Sequence, residues 1–118
     1  MSEVRVGEWS GVENRKHRRV SLQVPIECRS AQRVVLAIAE NISISGLLVR
    51  CTEPFPHDSE ITVSFTLPGS GAAITSLARV AHIVPSVFMG LELTGLAPGD
   101  RKAIDQYVAE EGPAAKPK

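Results

Sequence analysis

Residues Val20 to Cys28 read VSLQVPIEC and alternate without a break: Val20, Leu22, Val24, Ile26 and Cys28 fall on one side, Ser21, Gln23, Pro25 and Glu27 on the other. A period of two marks a β-strand with one face in a core and one in solvent, because successive side chains leave an extended backbone in opposite directions. A helix cannot use this pattern, since a 3.6-residue repeat scatters the five apolar positions around its circumference.

The same logic runs down the chain. VVLAIAENIS is a second apolar run, and LLVRC is a third, just after Gly46. TEPFPHDSE, with its two prolines, reads as a loop. Ile61, Val63, Phe65 and Leu67 alternate again before the turn PGSG, and Ile74 to Val84 and Val87 to Leu93 give two more strands around Pro85. Six strands at short spacing predict an all-β fold, a six-stranded antiparallel β-barrel. The last periodic segment is helical: Pro98 suits a first turn, Asp100 complements the helix N-terminus, and Ile104, Tyr107 and Val108 share a face before Gly112 stops it. One C-terminal α-helix is expected to close or cap the barrel. The first dozen residues and the tail PAAKPK lack periodicity, so both termini are expected to be mobile. The expected division is an N-terminal arm over 1–13, a folded domain over 14–111 and a disordered tail over 112–118.

With 118 residues, such a chain forms one domain able to bury roughly two-thirds of its unfolded surface. Lys plus Arg and Asp plus Glu are both 13, so any recognition of anions must be local. The chain has no apolar run of the roughly 20 residues that span a bilayer, and MSEVRVGEWSG lacks the apolar segment of a secretory signal, which predicts a cytoplasmic location. Cys28 and Cys51 lie far apart in apolar runs and form no metal-ligand spacing; they read as reduced thiols packed as small hydrophobes. His17, His57 and His82 have no Asp, Glu or Cys at catalytic or ligand spacing. These observations predict a binder, with no enzymatic activity, metal or cofactor.

The segment NRKHRR is where the balance of charge breaks. Arg15, Lys16, Arg18 and Arg19 put four cations into five residues around His17. Arg15 and Arg19 are four apart, at the junction of the arm and the first strand, where a segment can fold over a ligand held on the barrel; both are expected to be exposed. Arginine suits that task, because its planar fork grips phosphate or the O6/N7 edge of guanine and stacks on a base.

A second motif, NISISG, supplies Asn41, Ser43 and Gly46 as N-x-S-x-x-G. Together with RKHRR read as R-x-x-x-R, it resembles the PilZ domain family, and ARVAHIVPSVFMGLEL, ending in Gly90, Leu91, Glu92 and Leu93, is similar to that family's later hairpin. The resemblance extends over about Asn14 to Val108. It implies a non-enzymatic receptor for the bacterial second messenger cyclic di-GMP, whose arm orders on binding and signals to a partner protein that the sequence does not identify. Motility, surface attachment, exopolysaccharide production and virulence are the processes that the family implies. On this resemblance Arg15 and Arg19 contact phosphates and guanine edges or faces. Asn41 reads a guanine edge, Ser43 hydrogen-bonds the ligand, and Gly46 keeps the turn clear of a Cβ. Asn14 stands where some members carry another arginine that favours a stacked pair of ligands, which leans toward one ligand per protein unless Lys16 and Arg18 compensate. Read without the resemblance, Asn41 and Ser43 make local turn hydrogen bonds and Gly46 supplies a positive φ. Two other functions fit such a chain: a nucleotide-independent adaptor in pilus, flagellar or chemosensory assemblies, and a single-strand nucleic-acid binder. Few aromatics weigh against the second, because Trp9, Phe55, Phe65, Phe88 and Tyr107 do not alternate along a basic face.

Overall fold

The structure, a computed structural model, describes residues 19–115. The N-terminal arm, with Asn14, Arg15, Lys16 and Arg18, and the last three residues lie outside the described residues. Six antiparallel strands, β1 (Val20–Arg29), β2 (Val34–Ile42), β3 (Gly46–Arg50), β4 (Glu60–Thr66), β5 (Ala73–Val84) and β6 (Phe88–Leu93), close into a barrel in the order β1-β2-β3-β6-β5-β4. Helix α1 (Pro98–Ala115) follows. The barrel and its C-terminal helix are those read from the sequence. The helix continues past Gly112 to Ala115, since glycine lowers helix propensity by about 1 kcal/mol without forbidding the conformation.

The alternation in β1 does what its period requires. Val20, Leu22, Ile26 and Cys28 are buried, and they meet Ala39, Leu47, Val49, Val63, Val80 and Met89 from the other strands in one core. PGSG forms the β4–β5 turn with Gly69 and Gly71 at φ 84° and 75°, and Leu67 N–H donates to Ala72 C=O across it at 2.9 Å.

Closure is uneven. β1 pairs with β2 along most of its length but with β4 only at Glu27–Ser64, Cys28–Val63 and Arg29–Thr62. The first half of β1 therefore lacks a strand on one side, and α1 packs there: Tyr107 Oη donates to Ser21 C=O at 2.9 Å, and Ile104 and Val108 enter the core. At the other end, Phe55 from the β3–β4 loop is buried under Arg33, whose guanidinium lies 4.2 Å from the ring centroid and donates to Glu53 and Pro54 C=O. Cys28 and Cys51 are unpaired, buried thiols, and burial pushes the Cys28 thiol up to about 12, so it packs as a neutral apolar group.

Two positions on adjacent strands separate core from surface. Ile26 is 1% exposed and Leu36 79% exposed. In urea melts, Ile26→Ala is expected to lower stability by about 2–5 kcal/mol, and Leu36→Ser to change it by less than about 0.5 kcal/mol. Equal losses for the two variants would contradict this placement of the core.

Candidate functional site

Strand β2 changes face once. Val35, Ala37 and Ala39 turn toward the core and Val34, Leu36 and Ile38 away from it, but Ile42 is again buried, so Glu40 and Asn41 both face outward in succession. The neighbouring ladders record the same event. Between β2 and β3 the pairing steps from Ala39–Val49 to Asn41–Leu48, leaving Glu40 as an extra residue. Between β1 and β2 it steps from Ser21–Asn41 to Val24–Ala39, so Leu22 and Gln23 share the place opposite Glu40. Gln23 takes φ 53°, a left-handed conformation costing a non-glycine residue on the order of 1 kcal/mol. Bulges of this kind re-aim side chains. Here they gather Gln23, Glu40 and Asn41 on one patch of the barrel.

The patch is a shallow hollow of about 430 Å³ across β1, β2, β3 and β6, lined by Arg19, Val20, Ser21, Gln23, Glu40, Asn41, Leu48 and Phe88. Arg19 Nη1 donates to Asn41 Oδ1 at 3.0 Å. Gln23 Nε2 donates to Glu40 Oε1 at 2.6 Å, and Arg50 Nε donates to Glu40 Oε2 at 2.5 Å. These two donors, Arg50 first, hold the Glu40 carboxyl below the usual carboxylate range, so it is charged at neutral pH. The Arg50 guanidinium also lies 5.7 Å from the Phe88 ring centroid, within cation–π range. Cation, carboxylate, amide and aromatic face thus share one surface, which offers hydrogen-bond donors, acceptors and a stacking face together. Among the described residues, no group of three or more His, Cys, Asp and Glu is placed to hold a metal ion.

The residues singled out in the sequence divide into two sets. Arg19 and Asn41, 22 positions apart, meet at the hollow. Arg19 is half-buried against the barrel, where exposure was expected, because it is the last residue before β1 and Asn41 lies beside it. Ser43 and Gly46 stand behind the hollow, off its lining. Ser43 is 1% exposed, and its Oγ accepts from Ser45 N–H and Gly46 N–H at 3.2 Å each, while Ser43 N–H donates to Gly46 C=O at 2.9 Å. These are the local turn bonds that a serine at such a place makes. Gly46 is needed for close approach and has no positive φ: a Cβ there would lie 2.5 Å from the Leu91 carbonyl oxygen on β6. Arg15, Asn14, Lys16 and Arg18 are outside the described residues, although the sequence ties all four to Arg19 within five positions. Gln23, Glu40, Arg50 and Phe88 were not among the expected site residues. The signal was present in the polar pair Glu40–Asn41, which interrupts an otherwise apolar run.

The PilZ domain model matches residues 13–110. This chain belongs to the PilZ domain family. Three solved structures share the PilZ fold with it. The inhibitor of motility MotI/DgrA of Bacillus subtilis superposes with a TM-score of 0.74 at 21% identity, over 86% of this chain and 52% of that one. The PilZ domain of Escherichia coli YcgR with c-di-GMP gives 0.70 at 9% identity, over 86% and 93%. The MrkH–c-di-GMP complex of K. pneumonia gives 0.70 at 17%, over 86% and 52%. The PilZ chain here thus spans about half the length of MotI and MrkH. Comparison with curated proteins returns no match.

The two roles within N-x-S-x-x-G separate by stability. Gly46→Ala forces β3 away from the Leu91 carbonyl and is expected to cost about 1–3 kcal/mol in denaturant melts, whereas Asn41→Ala, at the half-buried end of β2, should cost no more than about 1 kcal/mol. A Gly46→Ala variant as stable as the parent would show that the β3–β6 approach carries no constraint.

Proposed function

We propose that this PilZ domain is a non-enzymatic receptor for cyclic di-GMP, which it binds over the hollow between β1, β2, β3 and β6. One observation carries the reading: Arg19 of R-x-x-x-R and Asn41 of N-x-S-x-x-G are joined by a 3.0 Å hydrogen bond at the rim of one hollow, which supports reading the two motifs as one site. Cyclic di-GMP offers two phosphates and two guanines. Arg19, with Arg15, Lys16 and Arg18 just before it in the chain, supplies cations for the phosphates and planar groups for the bases. Asn41 supplies both an acceptor and a donor for a guanine edge. Arg19 Nη1 donates to Asn41 Oδ1, and nucleotide binding exchanges that bond for bonds to the ligand. Ser43 and Gly46 contribute by fixing the turn that sets the position of Asn41, behind the hollow and without touching the ligand.

In this reading the output is an altered surface offered to a partner protein when the ligand occupies the hollow. A cytoplasmic location fits a sensor of an intracellular messenger, and among the described residues no helix is long and apolar enough to cross a membrane.

Isothermal titration against cyclic di-GMP, GTP and a short oligonucleotide tests the reading. Binding is expected for cyclic di-GMP well above the other two. Arg15→Ala, Arg19→Ala and Asn41→Ala should each weaken it roughly ten- to hundredfold, and Lys16→Ala should weaken it less, mainly by lowering its salt dependence. Equal binding of all three ligands, or of none, overturns the receptor reading in favour of a nucleotide-independent adaptor.

A further inference from the structure

Glu40 is out of place in a site for an anion. It lies one residue from Asn41, lines the same hollow, and its side chain is only 13% exposed. A carboxylate beside two phosphates is repulsive. Yet both flanking ladders bulge at this residue, and Gln23 adopts a left-handed backbone beside it. The fold takes up this distortion where it could have kept β2 in simple alternation. The arrangement therefore positions a carboxylate deliberately within a basic site.

We propose that Glu40 is a specificity-determining residue: its carboxylate accepts the N1–H and N2–H of one guanine, so that the domain prefers guanine dinucleotides to adenine ones. This inference rests on the cyclic di-GMP reading and deepens it. An ionised carboxylate offers about four acceptor positions. Gln23 takes one on Oε1 and Arg50 one on Oε2, which fixes the orientation of the group and leaves one lone pair on each oxygen for a ligand. The Watson–Crick edge of guanine presents two adjacent donors to such a pair. Adenine presents the N1 lone pair at the same place and is repelled. Phe88, beneath the Arg50 guanidinium, adds an aromatic wall on which a base held by Glu40 can rest. Arg50 and Gln23 act as positioning residues. The hydrogen bonds from Arg50 and then Gln23 hold the Glu40 carboxyl below the usual carboxylate range, so the group is an ionised acceptor throughout the neutral range. Discrimination of this kind is steep, because the wrong base leaves a desolvated carboxylate without its partners.

The test uses the full chain and its Glu40→Gln variant, with titrations against cyclic di-GMP, cyclic di-AMP and cyclic di-IMP, the last lacking the 2-amino group, and thermal melts alongside. The wild-type chain is expected to bind cyclic di-GMP more tightly than cyclic di-IMP and far more tightly than cyclic di-AMP. Glu40→Gln should lose about tenfold or more in affinity for cyclic di-GMP, narrow the gap to cyclic di-IMP, and bind cyclic di-AMP no more weakly than wild type does, with an unchanged melt. Undiminished affinity and selectivity in Glu40→Gln overturn the inference while the receptor reading stands. Tighter binding of both guanine and adenine dinucleotides by the variant also overturns it, by making Glu40 only a repulsive neighbour of the phosphates. Wild-type protein that discriminates none of the three overturns the inference whatever the variant's stability, and wild-type protein that binds none overturns the receptor reading with it.

Discussion

Strand β2 must place two outward residues, Glu40 and Asn41, between two inward ones, Ala39 and Ile42, and everything particular to this barrel follows from how that is done. A regular strand cannot present consecutive side chains on one face. Both flanking ladders therefore slip by one residue, Gln23 adopts a positive φ, and the strands bend around the site. What the bend gains is convergence. Arg19 just before β1, Gln23 near its start and Arg50 at the end of β3 each make a hydrogen bond to one of the two displaced residues.

The rest of the fold holds that patch still. Gly46 lets β3 approach β6 within reach of the Leu91 carbonyl, and Ser43 fills its hydroxyl's acceptor sites with the turn's own N–H groups. Both therefore act on the hollow through Asn41, whose position at the end of β2 depends on that turn. On the far side of β1, the short seam with β4 leaves the first half of the strand without a neighbour, and α1 supplies one through Tyr107 and Ser21. The site thus stands on a strand supported by β2 on one edge and by a helix on the other.

Much of this was legible in the sequence, for physical reasons that differ from element to element. A two-residue period cannot be mistaken over nine positions, so β1 and its buried face were plain; PGSG and the prolines of TEPFPHDSE marked where strands end. The two motifs gave Arg19 and Asn41, which the fold brings into hydrogen-bond contact across 22 residues. The bulges were not legible. Alternation in β1 survives the slip, since Leu22 and Val24 keep their parity while Gln23 absorbs the conformational change, and nothing in VSLQV announces a left-handed glutamine. Glu40 was not singled out either, although the polar pair Glu40–Asn41 interrupts an apolar run. Gly46 was identified as necessary, but its cause is the approach of another strand, which no local pattern encodes.

The proposed ligand site, where β1, β2, β3 and β6 meet, is tested most directly by the change in backbone amide chemical shifts on titrating cyclic di-GMP. The account predicts that the largest changes fall on Arg19, Ser21, Gln23, Glu40, Asn41, Leu48 and Phe88, with Ser64, Thr66 and Thr75 on the β4–β5 face unmoved. Saturable binding whose changes centre on that β4–β5 face, and spare Arg19 and Asn41, would contradict it.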